Sequence, residues 1–250
     1  SYGDIDSYFV VACKSKNTFF SCVALDTENS ALVYNSSSIT DSYDVVHSDR
    51  MFRCQYVRES RDCMNSCFLF DCRNCEFCFG AANKRNKKYL WFNEQLSKEE
   101  WEKRRAEVDL GKRSVAQKYV AQFNKLVEES VWPENFNEKT ENCLGEYLTN
   151  CTNCKYVYYG SGGARDNYWV AFAIGQSEGN AFCADPYSAN NSFYTSAGAS
   201  SSNLRYCLWV SRCQDCEFCT ECFDCENCFG CVGLRKKKFC ILNKQYSEEE

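Results

Sequence analysis

Residues 213–231 read CQDCEFCTECFDCENCFGC, a run in which seven cysteines follow one another at intervals of three residues. A period of three matches neither the period of two of a β-strand nor the 3.6 of an α-helix. The seven side chains can share one side only if the backbone turns between them or twists like polyproline II. We therefore predict a tightly wound run of corners whose cysteines point inward.

This run belongs to an internal duplication. Residues 68–100 align without a gap with residues 218–250, at an offset of 150. Upstream, residues 48–57 match residues 201–210 better at an offset of 153, which predicts a loop that differs in length by three residues. Self-similarity at a fixed period is typical of repeat architectures.

Short segments rich in β-branched and aromatic residues surround the cysteine run in both copies, and clusters of Ser, Asn, Asp and Gly separate them. Tandem duplication of such segments favours a solenoid, in which small polar residues stack from one turn to the next. The predicted fold class is therefore mainly β, a tandem-repeat, solenoid-like array of short strands with an α-helical insertion.

The helical insertion is predicted from the capping box Ser97–Glu100. We expect a first helix from Trp101 to about Val108, and a second within residues 112–130 that places Val115, Tyr119, Phe123 and Leu126 on one face. The predicted segments are a cysteine-rich β repeat at residues 1–96, the helical insertion at 97–132, and a second β repeat at 133–246. Residues 247–250 then repeat the capping box as the start of a truncated second helical segment, so we expect the chain to be a piece of a longer protein.

Three chemistries fit the cysteine run. Thiols can act as small buried hydrophobic groups stacked through a narrow core, they can ligate zinc or an iron–sulfur cluster, or they can form disulfides between stacked turns. Since Ser66 and Leu69 stand where the second copy has Cys216 and Cys219, the packing interpretation is favoured and no cofactor is expected. In the metal alternative the ligands would be Cys213, Cys216, Cys219, Cys222, Cys225, Cys228, Cys231, Cys72, Cys75 and Cys78.

No catalytic residues are predicted, and we expect the protein not to be an enzyme. His47, the one histidine in the sequence, is expected in a surface loop. The basic runs 84–88 and 235–238 are interpreted as solvated turns or as partners of the acidic segments that follow them. The net charge of −5 gives no electrostatic reason to expect nucleic-acid binding, and no apolar run is long enough to span a membrane.

Residues 227–250, NCFGCVGLRKKKFCILNKQYSEEE, resemble a set of uncharacterised cysteine-rich repeat proteins of environmental bacteria and phages. Residues 76–100 match the same motif in degraded form, with Ala81 and Leu90 where the second copy has Cys231 and Cys240. The resemblance implies a repeat scaffold, and it favours a virion or extracellular-surface setting. It carries over no activity.

These observations predict a structural scaffold that contributes to a larger assembly, with other protein subunits as partners in a homo-oligomer or a multi-protein complex. The alternative is a metal-binding protein that uses the cysteine run. A further hypothesis is a carbohydrate- or surface-binding module built on Tyr156, Tyr158, Tyr159 and Trp169, although we expect these four aromatic residues to alternate between core and surface.

Overall fold

The computed structural model describes residues 3–250, with the side chains of Ala12, Cys13 and Ala197 excepted. Two compact units divide the chain, unit 1 at Ser1–Trp132 and unit 2 at Pro133–Glu250. Each unit is a parallel β-solenoid of short strands, and unit 1 also carries two helices. The predicted fold class is therefore confirmed.

Successive coils of unit 1 lie in register, and equivalent positions in neighbouring coils are spaced 12 apart in the sequence. Tyr43 pairs with Gln55, Gln55 with Cys67, and Cys67 with Phe79, all in parallel. The strands are β1 (Tyr8–Cys13), β2 (Lys16–Thr40), β3 (Tyr43–Val46), β4 (Asp49–Phe52), β5 (Gln55–Arg58), β6 (Arg61–Met64), β7 (Cys67–Phe70), β8 (Phe79–Ala82), β9 (Leu90–Trp91) and β10 (Glu94–Gln95). The last two form an antiparallel hairpin at the end of the coil stack.

Unit 2 repeats this design. Ser202, Gln214, Glu226 and Lys238 pair in succession at the same interval, whereas Lys155, Tyr168 and Ala181 pair at an interval of 13. The strands are β11 (Leu144–Leu148), β12 (Lys155–Ser161), β13 (Tyr168–Ile174), β14 (Ala181–Ala184), β15 (Ser196–Ala199), β16 (Ser202–Arg205), β17 (Leu208–Ser211), β18 (Gln214–Glu217), β19 (Glu226–Phe229), β20 (Lys238–Ile241) and β21 (Lys244–Gln245). Strands β20 and β21 close the unit with an antiparallel hairpin, as β9 and β10 close unit 1.

The backbone explains the three-residue period. In the triplet Asp49–Arg50–Met51, the amide of Asp49 donates to the carbonyl of Ser60 in the next coil, Arg50 has φ 53°, and Met51 is buried. The left-handed residue at the centre of each triplet reverses the pleat of the strand, so the residue that follows it points inward in every triplet. Every third residue is therefore inside. The expected corners are left-handed residues rather than a polyproline-like twist, whose φ is negative.

The left-handed backbone conformation is energetically unfavourable for most residues that carry a side chain, and it is least unfavourable for Asn and Asp. Their side chains also stack between coils: the Asn74 amide donates to the side-chain oxygen of Asn86 at 2.7 Å, and that of Asn203 to Asp215 at 2.8 Å. Such ladders are the stacking of small polar residues that the sequence predicts.

Small polar residues point inward because they complete the backbone hydrogen bonding. The hydroxyl of Ser60 donates to the carbonyl of Arg58 at 2.9 Å and accepts the amide of Cys72 at 3.1 Å. The amide of Ser60 itself donates to the hydroxyl of Ser48 one coil earlier. A buried amide must find an acceptor. A serine at an inward position therefore fills space inside the coil and also accepts a hydrogen bond from a buried backbone amide.

Two helices follow the coils of unit 1, α1 (Lys98–Ala106) and α2 (Arg113–Glu128). The Ser97 hydroxyl accepts the amide of Glu100, so α1 begins three residues before the predicted start at Trp101. At the equivalent place in unit 2, residues 247–250 form a turn in which the amide of Ser247 donates to the Glu250 carboxylate. None of the described helices is long and apolar enough to cross a membrane.

The coil geometry decides between the two alignments of the copies, at offsets of 150 and 153 residues. Tyr56 stacks on Phe68 with ring centroids 4.8 Å apart, and Tyr206 stacks on Phe218 at 5.0 Å. These two pairs correspond at the offset of the gapless alignment, so the offset of 153 is wrong for this part of the chain. Increasing the offset by three residues aligns each triplet with the next triplet of the same coil. Because the sequence pattern itself repeats every three residues, such a shifted alignment is easily mistaken for a change in loop length.

Candidate functional site

The interior of unit 2 is a set of thiol columns. All seven cysteines of residues 213–231 are buried, and Cys216, Cys228 and Cys240 lie in register in successive coils. The Cys216 thiol donates to the carbonyl of Gln214 at 3.3 Å and lies 3.8 Å from that of Cys225. In unit 1 the Ser36 hydroxyl makes the equivalent two contacts, to the carbonyls of Tyr34 at 2.8 Å and Val45 at 3.5 Å. Cysteine and serine can therefore occupy the same inward position of the coil.

Thiols also meet one another inside the coils. In unit 1 the Cys75 thiol is hydrogen-bonded to those of Cys63, Cys72 and Cys78, and these bonds hold its pKa well below the ordinary value. The same bond to Cys75 raises the pKa of Cys63. In unit 2, thiols of Cys207 and Cys216 lower the pKa of Cys219 in the same way. A shared proton network of this kind favours one thiolate among neutral partners.

The ten candidate metal ligands all lie in these interiors. Cys72, Cys75 and Cys78 are in unit 1, and the seven cysteines of residues 213–231 are in unit 2. Every cysteine whose side chain the structure describes is a free thiol. Within this described part of the chain, no three His, Cys, Asp or Glu side chains are arranged to hold a metal ion.

His47 is not in an exposed loop. It occupies a left-handed position with φ 48°, and its Nδ1 lies 2.7 Å from a carboxylate oxygen of Glu59 in the next coil. The side chain is only 16% exposed. The surface-loop prediction is therefore wrong, because the Ser/Asp-rich sequence around His47 is coil sequence whose left-handed residues suit small polar side chains.

The basic runs pair with earlier coils rather than with the acidic segments that follow them. Lys88 lies 2.5 Å from Glu76, and Lys238 lies 2.5 Å from Glu226, in each case one coil away. Arg85 makes two 2.9 Å bonds to the Asp71 carboxylate. Coil stacking, which the linear sequence does not display, brings these charges together.

The outside of unit 2 carries a stripe of exposed aromatic side chains. Its members stack or meet edge to face between successive coils, and Phe182, Tyr194 and Tyr206 have parallel rings with centroids 5.1 and 5.6 Å apart. We call this set the aromatic stripe: Tyr156, Tyr168, Trp169, Phe182, Phe193, Tyr194, Tyr206, Phe218 and Phe229.

The four aromatic residues predicted to alternate between core and surface do not do so. Tyr156, Tyr158 and Trp169 are all exposed, and Tyr159 is half-buried. None of the four occupies an inward position, because those positions in β12 and β13 belong to Val157, Gly160, Val170 and Ala173. A strand period of two would have produced the alternation, and the period of three removes it.

No protein-family model and no curated protein matches this chain. Among solved structures, a "putative acetyltransferase" from Desulfovibrio desulfuricans G20 is 11% identical with a TM-score of 0.20, covering 87% of this chain and 62% of its own. A UDP-N-acetylglucosamine acyltransferase from Campylobacter jejuni is 8% identical with a TM-score of 0.11, covering 88% of this chain and 66% of its own. The chain thus spans less than two thirds of either protein, and similarity this low carries no argument about what it does.

Proposed function

We propose that the protein is a structural repeat scaffold that contributes to a larger protein assembly. The observation that carries this proposal is the aromatic stripe, nine exposed aromatic side chains on one unit. Contiguous exposed apolar surface of this kind marks interaction sites. The closely packed interior of the coils supplies the rigidity that a scaffold needs.

The first coil of unit 1 supports the same proposal. Ile5, Tyr8, Phe9 and Val11 are all more than half exposed, at 57, 62, 80 and 63%. Apolar side chains this exposed and this close together mark an interaction surface. We propose that the first coil is a contact between subunits, and that the assembly belongs to a virion or an extracellular surface.

Self-association tests this proposal directly. In sedimentation velocity under reducing conditions, we expect the chain to form dimers or larger species at concentrations on the order of 10 µM. Replacing Phe9 and Val11 by lysine should shift the protein to monomers, because the charges oppose burial of the first coil. Val232→Lys, at a side chain 58% exposed in unit 2, is the matched control and should leave association unchanged. A monomer at every concentration up to about 100 µM would contradict the homo-oligomer.

A metal-binding protein is the second candidate. The buried thiol of Cys75 neighbours those of Cys63, Cys72 and Cys78, although no three of the described His, Cys, Asp and Glu side chains are arranged to hold a metal ion as they stand. Thiolates are the ligands that zinc and iron–sulfur clusters require.

Elemental analysis of protein purified without chelator or reductant separates the two candidates. The scaffold proposal predicts a folded protein that holds no stoichiometric metal. About two or more equivalents of zinc or iron per chain, lost together with the structure on chelation, would replace it with the metal-binding function.

A further inference from the structure

The middle of the aromatic stripe forms a ridge along unit 2. Trp169, Phe182 and Tyr194 hold the same position in three successive coils, since the residues before them pair in register. Their side chains are 52, 41 and 51% exposed. The rings of Phe182 and Tyr194 are parallel with centroids 5.1 Å apart, so their faces cover each other and their edges point outward. We call these three residues the ridge.

A groove lies beside the ridge. Ala171, Ala184 and Ser196 are in register in the same three coils, each two residues after a member of the ridge. The neighbours of these small residues in the coils before and after are large, Tyr158 at one end and Leu208 at the other. The space above the small residues has a volume of about 410 Å³ and is lined by ridge residues as well. We call the three small residues the groove.

This combination distinguishes unit 2 from unit 1. At the offset of the duplication, Phe182 stands where unit 1 has Leu32, and Ala184 stands where it has Tyr34. In the next coil, too, the ridge position gains a ring and the groove position a small residue: Tyr194 replaces Asp44, and Ser196 replaces Val46. The two copies therefore differ by a paired exchange of large and small residues at these two positions of the coil.

The helices of unit 1 do not cover the equivalent positions. Leu32 and Tyr34 are 40 and 47% exposed although α1 and α2 are present on that unit. Helix α2 packs instead on Phe68 and Phe79, further along the solenoid. Exposure of the ridge and the groove is therefore a property of this part of the coil.

The ridge and the groove match each other in size and in polarity. In every coil a large ring accompanies a small residue, and the two agree in chemistry: Trp169 with Ala171, Phe182 with Ala184, and Tyr194 with Ser196. The first two pairs are largely apolar, and the third brings two hydroxyl groups together. None of the six residues is charged. A surface that carries both a projection and the depression that fits it can pack against its own copy about a two-fold axis.

The pairing of ridge with groove also determines the direction of the second copy. A two-fold axis that runs along the solenoid, between ridge and groove, places the ridge of each copy in the groove of the other, coil for coil. An axis that runs across the coils would place ridge on ridge and leave both grooves empty. The two copies therefore lie parallel and in register.

The closed ends of the groove argue against a linear polymer as its occupant. Tyr158 and Leu208, which are 44 and 41% exposed, block the groove after three coils. A polysaccharide or an extended peptide would have to continue past them, whereas the ridge of a second copy spans the same three coils. At the two ends, Tyr156 and Tyr206 of one copy would meet Tyr158 and Leu208 of the other and form the rim of the contact.

We propose that unit 2 forms a parallel, two-fold contact with unit 2 of a second copy, in which the ridge of each copy lies in the groove of the other. With about 100 Å² exposed on each ring, the contact buries about 1,200 Å² in total, the lower limit of a stable interface. We expect a dissociation constant on the order of several hundred micromolar, and this weak lateral contact adds to that of the first coil. The inference rests on the proposed scaffold function and names a second contact between its subunits.

Sedimentation equilibrium of the Phe9→Lys/Val11→Lys variant isolates this contact, because the first coil of that variant is not expected to associate. Between about 20 µM and 1 mM, under reducing conditions, we expect the variant to pass from monomer to dimer. Adding Ala184→Trp and Ser196→Trp fills the groove and should weaken dimerisation about tenfold or more.

The matched control replaces the same two residue types elsewhere on unit 2. Ala199 and Ser211 are in register in successive coils, as the groove residues are, but lie in a different triplet of the coil. Adding Ala199→Trp and Ser211→Trp instead should leave dimerisation within about twofold of the Phe9→Lys/Val11→Lys variant. Circular dichroism verifies that all variants remain folded.

Mixing two variants tests the pairing itself. Phe182→Ala/Tyr194→Ala removes most of the ridge and should dimerise as weakly as the filled-groove variant does. In a mixture of these two, the intact ridge of one enters the intact groove of the other, and the tryptophans occupy the space of the missing rings. We expect the one-to-one mixture to dimerise within about fivefold of the Phe9→Lys/Val11→Lys variant.

Four results would overturn the proposal. The Phe9→Lys/Val11→Lys variant could stay monomeric up to about 1 mM, the filled-groove variant could dimerise equally well, or the mixture could fail to recover. Retention of the chain on insoluble chitin that is lost in the filled-groove variant would assign the groove to a carbohydrate. Because association through the first coil is measured separately, near 10 µM in the unsubstituted chain, failure of one contact is distinguished from failure of the other.

Discussion

Replacing Cys216 by aspartate is expected to unfold unit 2, whereas replacing it by serine should leave its stability nearly unchanged. Cys216 is completely buried and is surrounded by other thiols and by backbone carbonyls. A carboxylate there would lose its hydration and gain no cationic partner, at a cost of about 3–5 kcal/mol or more. Thermal and urea unfolding followed by circular dichroism would measure the loss.

Serine at this position can make the contacts that Ser60 makes in unit 1. Its hydroxyl would donate to the carbonyl of Gln214 and could accept the amide of Cys228, so we expect a change within about 1 kcal/mol. Gln214→Asp adds the same charge on the exposed side of the same triplet and is the matched control. If Cys216→Ser destabilised unit 2 as much as Cys216→Asp does, the interchangeability of serine and cysteine would be wrong.

The inward cysteines could be predicted from the sequence because their period is itself the period of the coil. Asn and Asp at positions such as Asn74, Asn203 and Asp215 were the available signal for the left-handed residues that produce it. That signal is diluted because Arg50 and Trp209 adopt the same backbone conformation. Coil stacking offsets the strain of these residues, and propensity rules for isolated turns do not include that contribution.

The aromatic stripe could not be predicted from strand rules. Tyr194 and Tyr206 are one full coil apart in the sequence, and nothing in a linear window connects them until the coil length is known. The same holds for the pairing of Lys238 with Glu226 and for the neighbours of His47. Given the fixed offset between the two copies and the length of one coil, all these contacts follow. The coil length is the quantity that a prediction of these contacts from the sequence lacked.

Raising the pH from 8.5 to 11 is expected to destabilise unit 1 steeply. Burial raises the pKa of Cys54 to about 12 and that of Cys67 to about 11, from an ordinary value of 9.0. The folded chain therefore keeps protons that the unfolded chain releases above pH 9, so stability is full below that pH and falls as the pH rises towards the folded values. Each such thiol contributes a loss of about 1.4 kcal/mol per pH unit within its window.

Urea unfolding at pH 7.5, 9, 10 and 11 in the presence of a phosphine reductant would measure this dependence. In Cys54→Ser, the slope of the unfolding free energy against pH should become shallower by about the contribution of one thiol, because a serine hydroxyl does not titrate in this range. The serine hydroxyl can keep the hydrogen bonds that Cys54 makes to the carbonyls of Phe52 and Cys63. Hydrogen bonding to Cys75 raises the pKa of Cys63, Cys72 and Cys78 as well, so these thiols add to the loss of stability above pH 9. Cys75, whose pKa is lowered, is ionised in both the folded and the unfolded chain at that pH and adds no further loss. An unfolding free energy independent of pH between 8.5 and 10.5 would show that the thiols are not buried as neutral groups. The packing interpretation of the cysteines in unit 1 would then fail, because a core filled with neutral thiols must resist their ionisation.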